Sequence, residues 1–222
     1  FYLKSFFSPV ADDVAVPAPA EIQSWKELPF SEQEFLEKEV GSTRLTGEPE
    51  QSVLARVWAR PTFEVHGIAG GFTGAGAKTV IPAKAVAKVS MRLVPDQDPK
   101  RVLAAFQKWV KDNTPAGIET EVRVLSAGPA ISVNPDHPAI HVAAEAFSEM
   151  MSAKTVFIRS GGSIPIVGEF AENLGIPTVL MGFGLPDDGL HSPNEKYRIS
   201  NYYLGIVTIA HFLEKYGRTA EN

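Results

Sequence analysis

The sequence predicts a chain of mixed class. An α+β unit with an antiparallel sheet and helices comes first, and an α/β unit of alternating helices and short apolar strands follows. Three observations carry this expectation. A period-two run from residue 80 to 94 precedes a helical apolar stripe at Val102, Leu103, Phe106, Trp109 and Val110. A turn-rich stretch, GPAISVNPDHP, then breaks the pattern at residues 128–138. Beyond it, helical stripes alternate with short apolar runs.

Residues 1–60 read as a peripheral segment. Pro9, Pro17 and Pro19 interrupt its start, and between Asp12 and Glu50 acidic residues outnumber basic ones, as on a solvated face. Ser31-Glu32-Gln33-Glu34 is a capping-box pattern that predicts a short helix over 32–40. The first strand is expected over 63–68, and GGFTGAGAKT is a flexible loop. In the run over 80–94, Ala85, Ala87, Val89, Met91 and Leu93 fall on one face. Lys84, Val86, Lys88, Ser90 and Arg92 fall on the other. Asp98-Pro99 reads as an N-cap followed by proline at the first helical position. Alternation over 118–124 predicts another strand. In the second part, helices are expected over 138–150, 164–174 and 202–216, with strands over 155–158 and 177–182. In parallel α/β packing, sites lie at the carboxyl ends of strands. RSGGS follows the first of these strands and GFGLPDDGLHSPNEKY the second.

The totals limit the function classes. The 222 residues carry a formal charge of −5, which gives no general attraction to nucleic acid or an anionic membrane. No apolar run approaches the ~18 residues of a membrane span. No signal peptide is visible. There is no cysteine, which excludes disulfides, thiolate metal sites and a cysteine nucleophile, and fits a reducing, cytoplasmic compartment. Any metal must use His, Asp and Glu. The opening FYLKSFF reads as mid-chain sequence, so the chain is expected to be part of a longer protein.

Several stretches carry candidate chemistry. The glycine-rich loop over 70–79 fails as a phosphate loop: Ala77 stands where lysine is required, and strand rather than helix follows. Arg92, on a polar strand face, is either a solvated arginine or a bidentate clamp for a carboxylate. RSGGSIP places Arg159 and Gly161-Gly162-Ser163 between strand and helix, where glycine permits close backbone approach and helix-start N–H groups can bind an anion. A serine hydrolase using Ser163, His191 and Asp187 or Asp188 lacks its nucleophile elbow, because Pro165 replaces the last glycine. None of the five histidines begins a His-x-Asp or His-Glu-x-x-His pattern, and no two glutamates are adjacent. His137, His141 and His211 read as structural, and His66 sits at a strand end. His191, in a loop after a strand, is a metal ligand, an acid or base, or a surface residue on spacing alone.

Four stretches together, RPTFEVHGI, GAKTVIPAKAVAKVSMRLVP, RSGGSIPIV and MGFGLPDDGLHSPNEKY, resemble the zinc-dependent amidohydrolase and peptidase family. It contains cytosolic nonspecific dipeptidase, carnosinase, aminoacylase, succinyl-diaminopimelate desuccinylase and glutamate carboxypeptidase, and the resemblance is nearest to the dipeptidase and carnosinase branch. It implies a two-metal α/β catalytic domain with an inserted α+β lid that dimerises. Residues 1–130 would be the later part of the lid, and residues 131–222 the C-terminal part of the catalytic domain. The resemblance makes His191 the last metal-ligating histidine and Arg92 the holder of the substrate carboxylate. Thr79 would reach substrate in the partner subunit's site, and Ser163 would contact substrate. It implies two zinc ions in the intact enzyme, with manganese or cobalt as alternatives. It also implies a small peptide or N-acyl amino acid substrate and a homodimer. Ser160 stands where this branch has glutamate. The family's His-x-Asp motif, bridging aspartate, Glu-Glu pair, further aspartate and lid histidine have no counterpart here. The chain alone is therefore expected to be inactive and to bind no metal tightly. Use as a dimerisation or binding module without catalysis is the alternative.

Overall fold

The computed structural model of the chain describes residues 14–159 and 164–220. Among these residues it holds seven α-helices and one two-stranded antiparallel sheet. The chain divides into two compact units. Thr46–Ile131 makes most of the first, while Pro19–Leu45, Ser132–Ile158 and the chain from Ile166 onward belong to the second. No helix among the described residues is long and apolar enough to cross a membrane.

In the first unit, α3 (Val53–Ala59) starts at Ser52, whose hydroxyl accepts the Ala55 N–H, and buries Val53 and Ala59. Arg60, just after it, donates two hydrogen bonds to the buried Glu48 carboxylate at 2.6 and 2.8 Å. Strand β1 (Thr62–Gly70) pairs with β2 (Ala85–Arg92), from Thr62 opposite Arg92 to Gly70 opposite Ala85. The two faces divide as the alternation predicts only from Lys88 onward, since Ala85 and Ala87 of the expected apolar face are exposed. Val89 and Met91 are half-buried, whereas Lys88, Ser90 and Arg92 are exposed. Phe63, opposite Met91, meets Phe106 of α4 (Pro99–Asn113) with ring centroids 5.9 Å apart, so the sheet touches that helix at this pair. Asp98 caps α4 by accepting the Lys100 N–H at 2.8 Å, with Pro99 at the first helical position.

The second unit opens with α1 (Pro19–Lys26), which buries Trp25, and α2 (Glu32–Glu34), which runs into a π-helical turn over Phe35–Val40. The capping box over 31–34 is half made. Ser31 accepts the Glu34 N–H, but the Glu34 side chain turns to Lys38 at 2.7 Å. Helix α5 (Pro138–Met151) buries Ala139, Ile140, Val142, Ala143 and Ala146 and packs against α7 (Ile199–Ala220). Between them in sequence lie α6 (Pro165–Leu174) and a single 3₁₀ turn at Pro186–Asp188.

Three predicted strands are not formed. Residues 118–124, 155–158 and 177–182 pair with nothing among the described residues. The long run over 80–94 is strand only from Ala85. A strand exists by virtue of its ladder, and period-two patterning without a neighbour to accept its N–H groups gives only extended chain. Val156, Phe157, Ile158 and Leu180 are accordingly exposed. Over 118–124, Arg123 instead closes a local ion pair with Glu121. In the segment before Ala85, Pro82 has no N–H to give to a ladder. His66 lies inside a strand rather than at its end. The register slips between Val65 and Gly67, leaving His66 as the extra residue of a bulge.

Candidate functional site

The stretch from Gly182 to Tyr197 is built outward from Phe183. Its ring lies 5.4 Å from that of Phe147 on α5, and Gly205 of α7 leaves room for it on the other side. A Cβ at Gly205 would approach the Phe183 ring to 3.3 Å, so the absence of a side chain there permits the contact. Asn201 of α7 donates to the Phe183 carbonyl at 2.8 Å. The chain thus enters the loop from a segment fixed to two packed helices.

The loop then folds on itself. Pro186–Asp188 makes its 3₁₀ turn, and Gly189 takes a left-handed backbone with φ 65. Glycine is required there, because a Cβ would stand 2.7 Å from the Ser192 Oγ and because left-handed backbone disfavours side chains. His191 is also left-handed, with φ 62, and is exposed. Its N–H donates to Glu195 Oε2 at 3.2 Å. Ser192 donates its hydroxyl to the Gly189 carbonyl. The Lys196 N–H donates to the Asp188 carbonyl at 3.0 Å and closes the loop.

The adjacent aspartates have separate tasks. Asp187 is exposed and accepts from Lys196 Nζ at 2.6 Å and from Arg198 at 3.3 Å. The Lys196 hydrogen bond, foremost, and Arg198 hold its carboxyl below the usual aspartate value. Asp188 is 1% exposed, and its Oδ2 accepts the Leu185 N–H at 2.7 Å. They shape the loop through separate partners and do not form a paired acid and base. Glu195 is a loop residue that the sequence reading did not single out. Its four-residue spacing from His191 was the available signal, but nothing in a sequence says that a backbone N–H will be the partner.

Of the other candidates, Arg92 closes β2 on its exposed polar face, opposite Thr62 and two residues from Ser90, whose hydroxyl contacts Glu64. Thr79 is exposed in the loop between β1 and β2, where Lys78 lies over the Phe72 ring at 5.6 Å. Arg92 and Thr79 stand in the first unit and His191 in the second. Ser163, with Ser160, Gly161 and Gly162, lies outside the described residues. The structural histidines have visible tasks in two cases. His137 caps α5 through Nδ1, accepting the Ala139 N–H at 3.1 Å, and His211 pairs with Glu149.

A metal demands several convergent ligands. Among the described residues no group of three or more His, Asp or Glu side chains is placed to hold one. His191 stands without companions of that kind, and these residues by themselves do not fit a two-metal centre.

Residues 20–118 match the M20 family model for a peptidase dimerisation domain. The chain is 37% identical over 214 residues to the Cys-Gly metallodipeptidase DUG1 of Candida albicans, which covers 94% of this chain and 44% of that protein. It is 29% identical over 211 residues to the Beta-Ala-His dipeptidase of Homo sapiens, with 91% of this chain and 40% of that protein covered. Its fold is similar to the solved structure of the dipeptidase Dug1p from Saccharomyces cerevisiae, with a TM-score of 0.81 and 32% identity over 96% of this chain and 45% of that one. The chain spans less than half the length of the curated relatives it matches.

Proposed function

This chain belongs to the M20 family of metallopeptidases, and from that premise we propose that it forms part of a metal-dependent, dipeptidase-like hydrolase. The observation that carries the reading is agreement in sequence and fold with dipeptidases over nearly the whole chain. The substrates proposed are small peptides or N-acyl amino acids with a free carboxylate. In this reading residues 1–130 belong to a lid that pairs two copies of the protein, and residues 131–222 to a catalytic domain. The compartment is the cytoplasm.

The residue roles are those that the family resemblance implies. Arg92 is the carboxylate clamp, since a guanidinium on an exposed strand end can give two parallel hydrogen bonds to a planar anion. Thr79 and Ser163 supply hydroxyl contacts to substrate. His191 is one ligand of a zinc centre whose other ligands and general base come from outside these 222 residues. When bound, such metals polarise the scissile carbonyl and activate water.

The test uses the intact protein loaded with zinc. Arg92→Ala is expected to raise KM at least tenfold for dipeptides with a free C-terminal carboxylate, and to leave C-terminally amidated substrates little changed. Equal loss on both would remove the clamp. The 222-residue chain alone is expected to hydrolyse no dipeptide, and metal-dependent turnover by it would refute the division of ligands. The match to a dimerisation domain also favours a second reading, a pairing module without catalysis. An intact protein that dimerises by sedimentation but lacks all metal-dependent hydrolysis would select it.

A further inference from the structure

We propose that Asp188 is the positioning residue for His191. The inference rests on the reading of His191 as a site residue. Three hydrogen bonds converge on Asp188. Its Oδ2 accepts the Leu185 N–H at 2.7 Å, and its own N–H donates to the Leu185 carbonyl at 3.0 Å. Its carbonyl accepts the Lys196 N–H at 3.0 Å. The chain therefore departs from Asp188 and returns to it, with His191 between the two ends.

The loop holds further bonds among its own residues. His191 is tied to Glu195, and Ser192 to Gly189. These, like the three bonds of Asp188, fix the shape of the loop from within; what sets Asp188 apart is its burial and its nearness in sequence to the anchored Phe183. Asp187 reaches Lys196 and Arg198 from the exposed side, so its grip is subject to solvent and salt. Asp188 is the member of the loop that is 1% exposed. It lies five residues after Phe183, which is held against Phe147 and by Asn201. The other carboxylate oxygen, Oδ1, has no hydrogen-bond partner among the described residues. The whole holding action of the side chain therefore runs through Oδ2 to Leu185. An oxygen acceptor is what the position needs, and an amide oxygen of the same shape can supply it.

The 222-residue chain provides the test, by NMR of the His191 backbone and ring resonances and by amide hydrogen exchange. Asp188→Ala is expected to speed exchange at Leu185 and Lys196 at least tenfold and to shift the His191 resonances. The slowest amides of α5 and α7 should stay as they are. Asp188→Asn should return both readouts toward those of the parent chain. His191 resonances that do not move in Asp188→Ala overturn the proposal. If Asp188→Ala unfolds α5 and α7, Asp188→Asn decides. Retained Leu185 protection with parent-like His191 resonances supports the proposal, and a folded Asn variant with displaced His191 resonances refutes it. None of these readouts uses catalysis. A His191→Ala variant of the intact protein with full activity would instead remove the functional reading while leaving this geometry untouched.

Discussion

Gly189 and His191 share a left-handed backbone, at φ 65 and 62, but bear it differently. Glycine pays almost nothing for it, whereas a residue with a Cβ pays roughly 1–2 kcal/mol. Histidine is held there by the N–H it gives Glu195 and by closure of the loop behind it. Gly189→Ala should therefore destabilise the loop by about 1–2 kcal/mol, and more if the Ser192 hydroxyl cannot move from the new methyl. Faster amide exchange confined to residues 185–196 would confirm it, and unchanged exchange would contradict it. At this scale the sequence was legible in part. The crowding of Gly, Pro, Asp and Asn in DDGLHSPNE announced a tight loop after an apolar run. It could not separate Asp187 from Asp188, because two adjacent aspartates are chemically equal until one is turned inward.

Among the elements, the helices were the most readable. Helix α4 begins at the expected Asp98 cap and covers the expected stripe, burying Val102 and half-burying Leu103, Phe106, Trp109 and Val110, since its signals are local in sequence. Asp98→Ala should cost about 1 kcal/mol of local stability, read as faster exchange in the first turn of α4. The pairing of α5 with α7 carries a cluster that no periodicity announces. Glu149 accepts from His211 and from Lys215, the latter at 2.7 Å, and Lys215 also reaches Glu145 at 3.3 Å. The His211 hydrogen bond, then that of Lys215, lowers the Glu149 carboxyl below its usual 4.5. A depressed acid stabilises the fold above its unfolded value, and that contribution is lost as pH falls through its folded value. The bond to Glu149 raises Lys215 above its usual 10.5, so its contribution holds below that value and is lost as pH rises through the raised one. Glu149→Gln should thus lower the melting temperature near neutral pH, with the difference from the parent chain closing as pH falls below the ordinary glutamate range. A difference that stays constant down to strong acid would show that the pair contributes nothing through charge.

On the scale of the molecule, the apolar surface left uncovered is the dominant fact. Val156, Phe157, Ile158, Ile166, Phe170 and Leu174 of the second unit are all exposed large hydrophobics. Large apolar side chains exposed in such number favour covering by other protein or a liability to aggregate. The 222-residue chain should bind a hydrophobic reporter dye strongly and sediment with a concentration-dependent mass, and a dye-silent, monodisperse monomer would contradict this. What the sequence by itself determined was the local grammar: the helix stripes and caps, the two faces of β2, the change of pattern near residue 130 and the loop that carries His191. Each depends on neighbours within a turn or two of chain. What only the tertiary structure decided was long-range. It left three strand-patterned segments without ladders, placed a bulge at His66, and turned Asp188 inward while Asp187 faced its cations. Strand pairing and burial depend on which distant groups arrive beside a residue, and a linear pattern carries no record of that.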